Sequence, residues 1–275
     1  MLRISAAVGL CILGLGDGAL AADPPAIIAP DATTWKQSLV LDGSLGALAT
    51  DNALATRWGR IDAGYVVPYL RLTYGLTSTD GWSFTAYARN TTESYTRGVA
   101  DNVLSTVGTT LSKTTGELTI GTNFDTKFFF DGFFANQTLI AYDWTGFLTN
   151  DHTFEEVGLR VVPRFTVGYR WAEIATAERV FIDAQLSLEK YLNPSWSILA
   201  TGRFRTFWFQ AAAIGPKPID YYPSGSVGIK YDFRNGVTVT TSLAFLARRS
   251  NIIARNYEKL DVGPSIDFKY PLPIF

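Results

Sequence analysis

From Trp35 onward, apolar and polar residues alternate with a period of two almost to the end of the chain, the pattern of strands that carry one oily and one polar face. In Val180 to Lys190, the residues Val180, Ile182, Ala184, Leu186 and Leu188 share one face, and Asp183, Gln185, Ser187 and Glu189 share the other. Ser195 to Trp208 repeats this, with Trp196, Ile198, Ala200, Gly202, Phe204 and Trp208 opposing Ser197, Thr201, Arg203 and Arg205, and Asn193-Pro194 between the two runs reads as a tight turn. Near the end, Val237, Val239, Leu243 and Phe245 oppose Thr238, Thr240, Ser242 and Arg248, after an Asn235-Gly236 pair that predicts a type I′ hairpin. The last strand sets Leu260, Val262, Pro264, Ile266, Phe268 and Tyr270 against Lys259, Asp261, Ser265, Asp267 and Lys269.

Extended along the chain, the pattern predicts strands near 36–47, 59–76, 81–92, 102–112, 116–129, 134–148, 157–171, 177–192, 195–211, 221–233, 236–249 and 258–270. The least patterned is 102–112, and it is retained because a barrel with both ends on one side needs an even number of strands. Around Tyr65-Val66-Val67-Pro68 apolar residues become consecutive, which predicts a β-bulge. That bulge leaves the facing of Arg60, Asp62 and Arg71 undetermined.

These runs are about twice the ~5 to 6 residues of ordinary soluble strands and long enough to cross a bilayer when tilted, which takes ~9 to 11 residues. Unpaired backbone groups are costly in lipid, so a spanning sheet must close on itself. The expected fold class is all-β: a closed antiparallel up-and-down transmembrane β-barrel of about 12 strands. Aromatics near predicted strand ends, namely Trp58, Trp82, Trp144, Trp171, Trp196, Trp208, Tyr221, Tyr222 and Tyr270, fit the girdles that barrels place at the headgroup boundary.

Composition sharpens this picture in two ways. Charged residues make up only 18% and aromatics 14% of the 275 residues, which favours strands. The formal net charge of −1 argues against a nucleic-acid partner.

The first residues, MLRISAAVGLCILGLGDGALA, read as an export signal over 1–21: Arg3 opens it, Ile4 to Leu15 form a short apolar run, and Ala19-Leu20-Ala21 supplies a cleavage site. Residues 22–34, with three prolines, read as a periplasmic leader, and 35–275 as the barrel. Cys11 is the single cysteine and lies in the signal, preceded by Leu10 where a lipid acceptor would need a small residue, so neither a disulfide nor lipidation is expected.

With the signal ending in ALA, hairpins such as YLNPSWSILATGRF and YDFRNGVTVTTSLAF, and a final Phe275, the chain resembles bacterial outer-membrane β-barrel proteins as a broad, porin-like class. The resemblance implies a place in the cell outer membrane, contact with outer-membrane lipid and lipopolysaccharide, and a role for Phe275 as the signal read by the barrel-assembly machinery. Lys269, Pro271 and Pro273 depart from the apolar residues the class prefers at alternate positions back from Phe275. Because proline cannot donate to a ladder, the last strand is expected to end at Tyr270.

If the oily faces meet lipid, the polar faces line the interior. They carry Arg89, Asp125, Lys127, Asp143, Arg160, Arg164, Arg170, Asp183, Glu189, Arg203, Arg205, Lys230, Asp232, Arg248, Lys259, Asp261, Asp267 and Lys269. Arg160, Arg164, Arg170, Asp183, Glu189, Arg203, Arg205, Lys230 and Asp232 are the candidate pore-lining residues. Their arginines would attract anionic or polyhydroxylated solutes, with carboxylates keeping the wall hydrated. The competing reading is a lumen filled by its own ion pairs. About twelve strands is intermediate between filled barrels and open porins, and does not choose between them.

No catalytic or metal chemistry is expected. His152 is the single histidine, in the turn-like TNDHTF, with no serine evidently paired to it. Cysteine is absent from the expected mature chain, Asp151, Glu155 and Glu156 lack EF-hand spacing, and there is no phosphate-cradling loop. The expectation is a channel for passive passage of small hydrophilic or anionic solutes, without cofactor. The alternatives are an accessory barrel with a filled lumen, serving envelope integrity or surface-polysaccharide secretion, and a membrane hydrolase using His152.

Overall fold

The computed structural model describes residues 34–53, 55–57, 60–96, 101–132, 134 and 136–274. The expected signal and nearly all of the leader, Trp58 and Phe275 lie outside the described residues. Strands form at β1 Trp35–Thr50, β2 Ala63–Ser78, β3 Trp82–Tyr95, β4 Asn102–Thr115, β5 Leu118–Asp131, β6 Asn136–Asn150, β7 His152–Phe154, β8 Leu159–Ala172, β9 Arg179–Tyr191, β10 Trp196–Phe209, β11 Ile219–Asp232, β12 Val237–Ser250 and β13 Tyr257–Leu272. β7 carries β6 onward past Asp151, since both pair with β8. The result is twelve staves, every neighbour antiparallel, closed where β1 meets β13. All twelve runs read from the alternation are present, including the weakly patterned β4.

The two rims differ. One holds the first strand's start, the last strand's end and connections of two to four residues: 79–81, 116–117, 155–158, 192–195 and 233–236. The other holds connections of four to twelve residues: 51–62, 96–101, 132–135, 173–178, 210–218 and 251–256. We call these the turn rim and the loop rim.

Turn chemistry explains the tight rim. Asn193 accepts hydrogen bonds at its side-chain oxygen from the backbone of Ser195 at 2.9 Å and Trp196 at 3.0 Å, an Asx turn that reverses the chain at Pro194. Gly81 sits at φ +90, where a Cβ would fall 2.3 Å from the Thr114 carbonyl oxygen, so this corner requires glycine. The 233–236 turn is not the expected type I′. Positive φ occurs at Arg234 (61) and Gly236 (85), with Phe233 N–H bonded to the Val237 carbonyl at 3.1 Å. Asp232 accepts from the Arg234 backbone at 2.7 Å and Asn235 from Val237 at 3.2 Å, which stabilises a longer connection.

Two further expectations are corrected. β2 has no bulge: it pairs with β1 without a gap, and against β3 it keeps one register on both sides of Val67 and Pro68, where that pairing lapses. Val66, Leu70 and Leu72 point outward and Tyr65 is buried inside, while Val67 packs inward against the cluster of Ala53, Ala63, Tyr65 and Tyr95, so consecutive apolar residues serve two apolar environments on one continuous pleat. The bulge lies instead on β6, where Thr138 is the extra residue between the pairs Phe129–Leu139 and Phe130–Gln137. β13 does not stop at Tyr270 but continues through Pro271 to Leu272 against β1. Lys269 N–H makes a bond towards β12, to the Gly236 carbonyl. Pro271, two residues on, would point its missing donor the same way, where β12 has already turned.

Leu45, Val107, Ile120, Phe204, Val227, Ile229, Val262 and Ile266 stand exposed around the outside, each representing ~1.5 to 3 kcal/mol if left in water. At the turn rim, Trp35, Trp82, Trp196 and Tyr270 are exposed; at the loop rim, Trp171 and Tyr221 are. Trp144 is also outward but sits in mid-strand. Tyr222 points inward beneath Arg248, because consecutive strand residues face opposite ways.

Candidate functional site: a basic lumen

Tyr65 and Tyr95 stack inside the loop rim with centroids 4.7 Å apart. The fully buried Asn52 ties its own loop to the wall, donating to the carbonyls of Thr56 at 2.9 Å and Glu258 at 2.7 Å. That side of the interior is packed. Opposite it, β3, β5, β6, β8, β9 and β10 enclose a cavity of about 530 Å³.

Seven basic side chains face this cavity, Arg89, Lys127, Arg164, Arg170, Arg179, Arg203 and Arg205, against the three carboxylates Asp125, Asp143 and Asp183. The strands place them there because every second residue points inward. Asp143 and Arg170 are directly opposed on β6 and β8, and Asp183 and Arg205 on β9 and β10.

The carboxylates are fully engaged. Asp143 accepts from Arg170 at 2.6 and 2.7 Å and from Lys127 at 2.6 Å; Lys127 also lies 3.5 Å from Asp125, which accepts from the Tyr87 hydroxyl. Asp183 accepts from Arg203 Nε at 2.8 Å and Arg205 Nε at 3.1 Å. Arg164 is different: Cζ lies 4.4 Å over the Phe147 ring and, among the described residues, its side chain makes one hydrogen bond, a 3.5 Å approach to Thr166. Arg179 lies over Phe207 at 4.2 Å and makes no hydrogen bond or ion pair among the described residues.

Of the sequence-predicted pore residues, Arg164, Arg170, Asp183, Arg203 and Arg205 meet at the cavity. Glu189, Lys230 and Arg160 form a separate group nearer the turn rim, where Glu189 is paired with Lys230 and lies 3.9 Å from Arg160. Arg160 also holds Asp151. Asp232 caps the 233–236 turn and is away from the cavity.

Sequence reading passed over Arg179 and Asp220. Arg179 opens β9 in phase with Asp183, so carrying that alternation four residues back would have found it. Asp220 is fully buried at the loop rim and accepts from Arg248 at 2.6 Å and Arg255 at 2.8 Å. Arg71, left undetermined by the expected bulge, faces inward with Cζ 4.2 Å over Tyr87.

His152 is at the turn rim, with Nδ1 2.5 Å from Glu117 and its ring edge-on to Phe154. Among the described residues, no three His, Cys, Asp or Glu side chains are grouped to hold a metal ion.

No protein-family model matches the chain, and no curated protein matches it. Among solved structures, an outer membrane channel from Pseudomonas putida F1 aligns with a TM-score of 0.57 at 13% identity, over 91% of this chain and all of that one (100%). An anion-selective porin from Comamonas acidovorans aligns at a TM-score of 0.46 and 7% identity, over 86% of this chain and 100% of that one. The Pseudomonas likeness is one of fold. The closed twelve-strand barrel is the architecture of outer-membrane β-barrel proteins.

Proposed function

We propose that this protein is an outer-membrane channel that passively admits small hydrophilic, preferentially anionic, solutes. The supporting observation is the excess of seven basic side chains over three carboxylates around one interior cavity. Low-dielectric walls focus such a surplus, raising the local anion concentration and repelling cations. The apolar outer band and its aromatic rims suit a bilayer, and the fold likeness to a bacterial outer membrane channel supports the same compartment. The turn rim, bearing both ends of the barrel, would face the periplasm, and the loop rim the outside, among lipid and lipopolysaccharide. Insertion by the barrel-assembly machinery belongs to this reading, as does the absence of catalysis: His152 would sit on the periplasmic rim, away from outer-leaflet substrate.

The ion pairs around Asp143 and Asp183 favour the second reading, an accessory barrel whose wall charges serve stability. Planar-bilayer recording separates the two. Step-like conductance with a reversal potential on the anion side, reduced by Arg164→Gln and Arg203→Gln, supports the channel; silence at all voltages supports the accessory barrel.

A further inference from the structure

Four arginines adjoin one another at the loop-rim end of the cavity, and three have a carboxylate. Arg170 is held by Asp143, Arg205 by Asp183 and Arg255 by Asp220. The fourth, Arg179, stands among them. It is the direct cross-strand partner of Arg170. It shares the Phe207 ring with Arg205, their Cζ atoms lying 4.2 and 5.6 Å from the centroid, and the Phe209 ring with Arg255, at 5.4 and 4.6 Å. Among the described residues no carboxylate lies within ion-pair distance of it, Asp143 and Asp220 acting only from farther off, and Nε is buried without an acceptor.

A guanidinium stays charged in such a setting, and a desolvated charge without a hydrogen-bonding counter-ion is costly. The two phenylalanines offset part of this through their ring faces and constrain the plane of the group. They supply no acceptor for its N–H donors. A planar guanidinium presents those donors as a fork that matches paired oxygens rather than a single spherical ion.

We propose that Arg179, positioned by Phe207 and Phe209, is a binding site for a small oxyanion, a carboxylate or a phosphate group, which takes the place of the carboxylate its three neighbours have and it lacks. This deepens the anionic-solute reading given above by naming a residue and a ligand chemistry, yet the site is measurable without transport.

The test is thermal unfolding of the full, detergent-solubilised barrel, read by the loss of heat-modifiable gel migration. Sodium acetate and inorganic phosphate are each titrated against sodium chloride at constant ionic strength. A ligand that binds only the folded state raises the midpoint with concentration. The expected result is a saturable rise with acetate, phosphate or both, and none with chloride; the two oxyanion arms show which source the site prefers. Arg179→Gln should lose the response, Arg179→Lys should weaken apparent affinity at least tenfold, and Arg249→Gln, a charge loss beside Glu258 on an exposed side chain, should keep it. Should Arg179→Gln fail to fold, Phe207→Leu carries the test, with weakened affinity expected. Equal stabilisation by chloride, or a full response in Arg179→Gln or in both Arg179→Lys and Phe207→Leu, overturns the site. Oxyanion protection in a barrel that is silent in bilayers removes the channel and keeps the site; conductance without oxyanion protection does the reverse.

Discussion

Asp143 on β6 and Arg170 on β8 face each other directly across the strands and are joined by two hydrogen bonds, from Nε at 2.6 Å and Nη2 at 2.7 Å, with the carboxylate almost wholly buried. Lys127 adds a third donor at 2.6 Å. The pair ties together two strands separated in sequence by the β7 hairpin, and its local neutrality leaves the excess charge of the cavity to other residues.

Removing one member should therefore cost more than removing an exposed pair. Asp143→Asn leaves Arg170 and Lys127 without their shared counter-charge, and breaking such a buried pair costs about 3–5 kcal/mol. A urea unfolding midpoint well below that of the parent, in the same detergent, is the expected outcome. An unchanged midpoint would show that lumen water already solvates the pair.

Conductance should report the excess basic charge of the cavity through its salt dependence. Replacing Arg164 and Arg203 together by Gln removes two of the seven basic groups, and the anion preference should fall clearly in dilute potassium chloride. At 1 M salt, where screening acts over about 3 Å, parent and variant should converge. Reversal potentials under a fixed salt gradient at both concentrations measure this.

Two adjacent residues of β11 test which face meets hydrocarbon. Val227 is outward at 56% exposure and Ser226 is inward. Arginine on the lipid face near the midplane costs ~2 to 4 kcal/mol, so Val227→Arg should lower folding yield into vesicles strongly, and Ser226→Arg much less. Equal effects would argue against a bilayer around the barrel.

Gly81→Ala should destabilise the β2–β3 corner, by about 1–3 kcal/mol for a side chain held at positive φ, because its Cβ would meet the Thr114 carbonyl. A lower urea midpoint with an unchanged slope is the expected reading. Gly116→Ala is the informative comparison: φ is also positive, +58, but nothing lies within 4 Å of the added carbon, so it should cost less.

Together with the even count that supplied the weakly patterned β4, alternation determined the twelve staves and their hairpin order and set the facing of most side chains, because a strand's period of two is local and a spanning sheet needs it without interruption. That is why Arg164, Asp183 and Arg203 could be read as interior from the chain itself. It faltered where two apolar environments met on one pleat, at Val66 and Val67, and where a proline's missing donor faced no neighbour, at Pro271. Charge pairing lay beyond it: whether Arg170 is neutralised by Asp143, or Arg179 left on Phe207 without a carboxylate, depends on register and on which strands adjoin across the barrel. Those contacts join residues whose distance is set by closure of the sheet, and no period along the chain encodes it.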